Sequence, residues 1–194
     1  LAVVDPEMMA SMTSKLTAAT GMDALTHAIE GYITKGAWAM TDMFELKAIE
    51  LIAKHLPQAV AEPQNMEARE GMGLAQYIAG MGFSNVGLGI VHSMAHSLGA
   101  VYDTPHGVAN ALLLPYVMAY NAPACGEKYK DVAQAMGVPN VSGMTQDEYR
   151  QAAVEAVVKL SQLIGIPQKL SEIGAKKEDL PKLAKLAYAD VCTP

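Results

Sequence analysis

The chain has 194 residues, of which 51% are apolar and 18% charged, with a net charge of -6. That is enough apolar material for one packed core, it lacks the composition of a disordered segment, and without a Lys/Arg cluster it makes nucleic acid an unexpected partner. Two cysteines with neither zinc-knuckle nor redox spacing exclude a disulfide framework. No apolar run reaches the roughly 18 residues of a bilayer span, so a protein of the reducing cytoplasm with no membrane partner is expected.

Residues 1–5, Leu-Ala-Val-Val-Asp, read as the tail of a buried strand running into a turn at Pro6. The absence of an initial Met, and an end at Cys192-Thr193-Pro194 directly after a helical pattern, suggest a piece of a longer chain. The spacing of Met22, Leu25 and Ile29 predicts an amphipathic helix over 18–32, with Asp23 and His27 inside it. A second helix is expected over 41–56, on the stripe Leu46, Ile49, Ile52 and Ala53, with Pro57 near its end. A third covers 65–83, where Gly71, Gly73, Gly80 and Gly82 weaken the helix but let neighbours come close. After Gly87 to Gly89, residues 90–98 form a helical segment holding His92 and His96. Residues 102–106 read as a loop and 107–121 as an apolar helix that Pro115 kinks or cuts short. Further helices are expected over 127–136, 145–164 and 177–190, so the fold class is all-α apart from the opening strand.

Four of the five histidines, His27, His92, His96 and His106, lie in two local groups flanked by small residues. On a helix, side chains four apart share a face, so Asp23 and His27 can point at one ion, and His92 and His96 stand in the same relation. The ten-residue step from His96 to His106 passes Gly99 and Pro105, which lets the chain turn and return an imidazole to the same place. Three imidazoles and a carboxylate suit Fe(II), Zn(II), Co(II) or Mn(II) and are too rich in nitrogen for magnesium or calcium. Each pair by itself also occurs on ordinary solvated helix faces; their combination is what points to a site.

The segments Gly21-Met-Asp-Ala-Leu-Thr-His-Ala-Ile-Glu30, His92-Ser-Met-Ala-His-Ser-Leu-Gly99 and Pro105-His-Gly-Val-Ala-Asn110 resemble the signature segments of the iron-containing, or group III, alcohol dehydrogenases. The resemblance extends over essentially the whole chain, and residues 31–38 and 190–193 resemble one branch of that family. It implies the helical metal-binding domain, 18–194, of a two-domain dehydroquinate-synthase-like dehydrogenase. Residues 1–17 would then be the end and linker of an α/β nucleotide-binding domain. The positions matching the family's metal ligands are Asp23, His27, His92 and His106. His96 matches a histidine beside the metal, assigned to proton handling or to positioning the nicotinamide of the cofactor. Phe83 and Cys192 match positions near the substrate pocket. The implied activity is hydride transfer between NAD(P)H and a short-chain alcohol or aldehyde, with Fe(II) or alternatively Zn(II), in a homo-oligomer. NAD(P) would be held mainly by the other domain, because this sequence contains no Gly-rich phosphate loop. Alternatives are a zinc enzyme like glycerol dehydrogenase or dehydroquinate synthase, and a non-catalytic metal-binding helical module.

Ser97 departs from the family, where many relatives have proline, and is expected to loosen a turn there. His55, beside Lys54 and Pro57, reads as a surface or capping residue, and Trp38 as a packing anchor between helices. Met8, Met9, Met12, Met72, Met81 and Met94 read as core filling, and Cys125 as an ordinary loop thiol.

Overall fold

A computed structural model describes residues 1–193; Pro194, part of the expected helical domain, lies outside the described residues. Eight α-helices follow one another: α1 Ser14–Ile33, α2 Ala39–Ala61, α3 Met66–Phe83, α4 Ile90–Tyr102, α5 His106–Asn121, α6 Lys128–Ala135, α7 Gln146–Leu163 and α8 Leu180–Tyr188. Short 3-10 turns, among them Pro6–Met9 and Lys177–Asp179, connect them. No strand is present among the described residues, so the expected strand at 1–5 is corrected. Extended chain becomes a strand only by exchanging hydrogen bonds with a neighbour, and this helical structure offers those five residues none.

Side chains at the helix starts account for several boundaries. Thr13 accepts a hydrogen bond from the Leu16 amide at 3.2 Å ahead of α1, and Asn65 accepts one from Ala68 at 3.1 Å ahead of α3. Thr145 and Glu148 form a reciprocal capping box at the start of α7. The α4–α5 junction is tighter than expected. Helix α4 runs past Leu98 to Tyr102, Asp103 reverses the chain in the left-handed region at φ 51°, and Pro105 leads directly into His106, the first residue of α5. Ser97 is therefore mid-helix, not in a turn. It is buried, and its hydroxyl donates to the Met94 carbonyl at 2.7 Å.

Neither internal proline ends its helix: α2 continues past Pro57 to Ala61 and α5 past Pro115 to Asn121. A proline removes one backbone donor, and burial on both sides offsets it: Leu56 and Ala59 flank the first, while Leu114 and Val117 flank the second. Because α2 does not stop at Pro57, His55 is carried inward. It is buried against α3, its ring lying where a Cβ on Gly71 would sit at 2.4 Å, which corrects its reading as a surface residue. Trp38 moves the other way, 54% exposed at the start of α2, so it anchors no packing. Met8 is also exposed, whereas Met72 is buried as expected.

Helices α1, α2 and α3 pack on one another, α1 also crosses α5, and α4 lies between α5 and α8. One apolar cluster runs through them, with Met22, Leu25, Ile29, Ile49, Ile52, Leu114 and Met118 at or near zero exposure. Two contacts set the geometry that matters later. The first turn of α5 is pressed onto α1 so closely that a Cβ at Gly107 would lie 2.2 Å from the Ala19 carbonyl oxygen, a backbone atom that cannot rotate away. Arg69, fully buried on α3, donates to the Met12 and Pro63 carbonyls and to the Thr17 hydroxyl, which ties the approach to α1 onto α3.

Glu45 is a local conflict. Its carboxyl is fully buried between Gly31 and Gly82, where a Cβ on either glycine would meet Oε1 at 2.3 Å, and neither of its oxygens has a hydrogen-bond partner. Burial raises its pKa from 4.5 to about 9, with Asp42 adding to the shift. The folded state thus keeps a proton that the unfolded chain gives up near 4.5. Stability is unaffected by this group below that value, falls as pH rises through the window up to about 9, and levels off above it. Glu45→Met is accordingly expected to raise stability by about 2 kcal/mol or more at around pH 8, with a smaller gain near pH 4. Urea unfolding at the two pH values measures this, and an equal gain at both would show that ionisation of Glu45 is not the cause.

Candidate metal centre

One face of α1 supplies the start of the site. Asp23, His27 and Glu30 recur at steps of four and three, so the helix lines up two carboxylates and an imidazole. Facing them, α4 brings His92 and His96, and the first turn of α5 brings His106. The Gly107 contact with α1 is what lets that first turn approach.

His27 and His92 each have a nitrogen whose state is fixed by its neighbour. His27 Nδ1 lies 2.9 Å from the Asp23 backbone carbonyl, which can only accept, so Nδ1 carries the proton and Nε2 a lone pair. His92 Nδ1 donates to Glu30 Oε2 at 2.6 Å, and Glu30 also accepts from the Gly89 and Val91 amides at 3.0 and 2.7 Å. A carboxylate anchored by two backbone amides fixes the ring in one orientation. Gly89 is required for this, since a Cβ there would stand 2.7 Å from Glu30 Oε1. His92 is 1% exposed, and its Nε2 has no hydrogen-bond partner.

Asp23 Oδ1 lies 3.9 Å from His92 Nε2 and 3.3 Å from His106 Nε2. Asn110, one turn along α5 from His106, donates to that carboxylate oxygen at 2.6 Å and stands 3.0 Å from His106 Nε2. Donor atoms of Asp23, His92 and His106 thus lie within 4.8 Å of one another. His27 borders the trio, its ring centred 4.4 Å from that of His92 and stacked on Phe83 at 4.4 Å. Desolvation lowers the His27 and His106 pKa values, more than the Asp23 charge raises them, which keeps both rings neutral and their lone pairs available. Such a group of neutral nitrogens around a carboxylate can bind a divalent cation.

His96 sits on the outer side. Its ring stacks on His106 at 5.3 Å, and its Nδ1 donates to Asp190 Oδ2 at 2.9 Å. Cys192 lies with Asp190 and His96, its donor atom within 4.8 Å of theirs. Phe83 is on the opposite flank, where with Asp23, His27, Arg69 and Met72 it lines a cleft of about 400 Å³. Sequence reasoning assigned no role to Glu30, Asn110 or Asp190. A signal existed for the first two: Glu30 is three residues after His27 and Asn110 four after His106, the same helical spacing that marked the histidines. Asp190 carried no such signal, because only the packing of α8 on α4 brings it to His96.

The model of the Fe-containing alcohol dehydrogenase family, C-terminal part, matches residues 17–194. The chain belongs to that family. It is 60% identical over its whole length to lactaldehyde reductase of Escherichia coli strain K12, covering 50% of that protein. It is 46% identical to the NAD-dependent methanol dehydrogenase of Bacillus methanolicus, again over all of this chain and 50% of the relative. Among solved structures, that of a 1,3-propanediol oxidoreductase superposes with a TM-score of 0.95 at 50% identity, over 97% of this chain and 49% of the other. The chain spans about half the length of the curated relatives it matches. The all-helical fold agrees with its membership of that family's C-terminal part, and no described helix is long and apolar enough to cross a membrane.

Glu30→Ala is expected to cost about 3 kcal/mol of stability, because two amides and the His92 Nδ1–H lose their buried acceptor. Chemical denaturation measures it. A loss below about 1 kcal/mol would mean that water replaces the carboxylate and that Glu30 does not hold His92.

Proposed function

We propose that this chain is the metal-holding half of an oxidoreductase that transfers a hydride between NAD(P)H and a short-chain alcohol or aldehyde, and that Asp23, His27, His92 and His106 hold its metal. The observation that carries the reading is the buried His92 Nε2, without a hydrogen-bond partner and aimed at the Asp23 carboxylate. A lone pair held near an anion in a dry interior is repulsive, and a cation between the two removes the repulsion. The donor set is three nitrogens and one oxygen, which suits Fe(II), the metal in the family's name, with Zn(II) as the competitor. When bound, such an ion acts as a Lewis acid on the oxygen of the alcohol or aldehyde.

The chain's own residues supply position and proton handling. Glu30 keeps the His92 ring turned with Nε2 inward, and Asn110 steadies the Asp23 oxygen. Phe83 covers one face of His27 and forms an apolar wall of the cleft, which limits water there and suits a small substrate. Asp190 holds the Nδ1 proton of His96, leaving Nε2 of that half-exposed ring free to take or give a proton, or to touch the nicotinamide. Cys192, beside Asp190, is assigned to the edge of the substrate pocket. Residues 18–194 are taken as the metal-binding domain and 1–17 as linker, with dinucleotide binding placed largely on residues beyond this sequence. A short 1,2-diol and its aldehyde are the favoured substrates, supported by the 60% identity to a lactaldehyde reductase. A soluble, cytoplasmic homo-oligomer completes the proposal.

Protein purified without oxygen is expected to hold about one iron per chain, and His92→Ala or Asp23→Asn about ten-fold less iron, by elemental analysis. Alone with NADH and a short-chain aldehyde, the 194-residue chain is expected to give no turnover. Absence of metal from the parent protein would overturn the site, and turnover by this chain alone would overturn the placement of the dinucleotide.

A further inference from the structure

Beside the Asp23 group stands a second cluster that the proposed reaction does not need as a metal site. A ring nitrogen of His96, an Asp190 carboxylate oxygen and Cys192 Sγ lie within 4.8 Å of one another, one nitrogen, one oxygen and one sulfur. We propose that His96, Asp190 and Cys192 form a second metal site, for a thiophilic divalent ion such as Zn(II), sharing no donor with the Asp23 centre. The set matches zinc sites with three protein ligands and one open position, and a thiolate selects zinc over harder ions.

Packing builds this cluster. Helix α8 lies against α4, which carries His96, so the residues after Tyr188 pass beside the first half of α4, at Ser93 and His96. Thr193 pins that crossing, its hydroxyl lying 2.8 Å from Ser93 Oγ and 2.6 Å from the Ala187 carbonyl. The Cys192 amide donates to Asp190 Oδ1 at 2.9 Å, a tight loop that places the Cys192 side chain next to the other carboxylate oxygen, already 2.9 Å from His96 Nδ1. Three donors from two elements are thereby brought to one place, and His96 at 40% exposure leaves an ion a way in. Binding moves the imidazole proton from Nδ1 to Nε2 and releases the thiol proton to solvent. With Nε2 protonated, His96 can no longer accept a proton, so a filled second site inhibits the reaction. That consequence rests on the proposed function; the binding itself does not.

Cobalt separates the two centres, because only a thiolate gives a sulfur-to-cobalt charge-transfer band in the near ultraviolet. Metal-free chain titrated with Co(II) is expected to develop that band along with the weaker visible bands of the nitrogen and oxygen centre. Cys192→Ser should abolish it, and His96→Ala should weaken cobalt binding at this site by about ten-fold or more. Cys125→Ser and Asp23→Asn should both leave the band in place. No band at two equivalents of cobalt, or a band that survives Cys192→Ser, overturns the proposal. Visible cobalt bands without the thiolate band would sink this inference while leaving the Asp23 centre intact, and cobalt uptake that Asp23→Asn does not reduce would do the reverse.

Discussion

A carboxylate oxygen and two imidazole nitrogens, one ring buried and the other half-exposed, face each other across 3.3 and 3.9 Å, and the helical framework around them is arranged to keep them there. Left to themselves such groups would turn toward water or toward separate donors. They do not, because hydrogen bonds hold them. The backbone of α1 takes the Nδ1 proton of His27, Glu30 takes that of His92, and Asn110 bridges Asp23 and His106. Hydrogen bonds from Glu30 and Asn110 hold these groups in one arrangement.

Close helix approach makes this arrangement possible. Gly107 lets α5 come down on α1 at Ala19, one turn from Asp23, and Gly89 lets the start of α4 meet Glu30. The sharp α4–α5 junction, with Asp103 in the left-handed region and Pro105 ahead of His106, brings His92 and His106 together from consecutive helices. A longer connection would spread the same histidines over a wider surface.

Two buried glutamates show how context decides the sign of a charge in the interior. Glu30 has three donors around it and serves as a fixed acceptor. Glu45, on α2 and boxed between two glycines, has none and stays protonated over most of the pH range. The first orients the His92 ring. The second only costs stability, and nothing in the structure gives it a compensating role.

Much of this was legible in the chain itself. Helical patterns, with apolar stripes at spacings of three and four for α1 and α2, located the eight described helices to within a few residues, because amphipathic periodicity follows from burial of one helix face. Asp23 and His27, four apart on one helix, and the step through Gly99 and Pro105 to His106 were readable as a possible cluster, and local signature segments marked the family. What the sequence could not contain were distances between elements. Whether Pro57 would end α2 depended on its packing, and that packing turned His55 inward against Gly71. Whether residues 1–5 became a strand depended on a pairing partner. That Asp190 and Cys192 reach His96 follows from α8 lying on α4. Periodicity is a property of neighbours along the chain, whereas convergence of side chains from separate helices is set by how their faces dock, and only the folded molecule decides that.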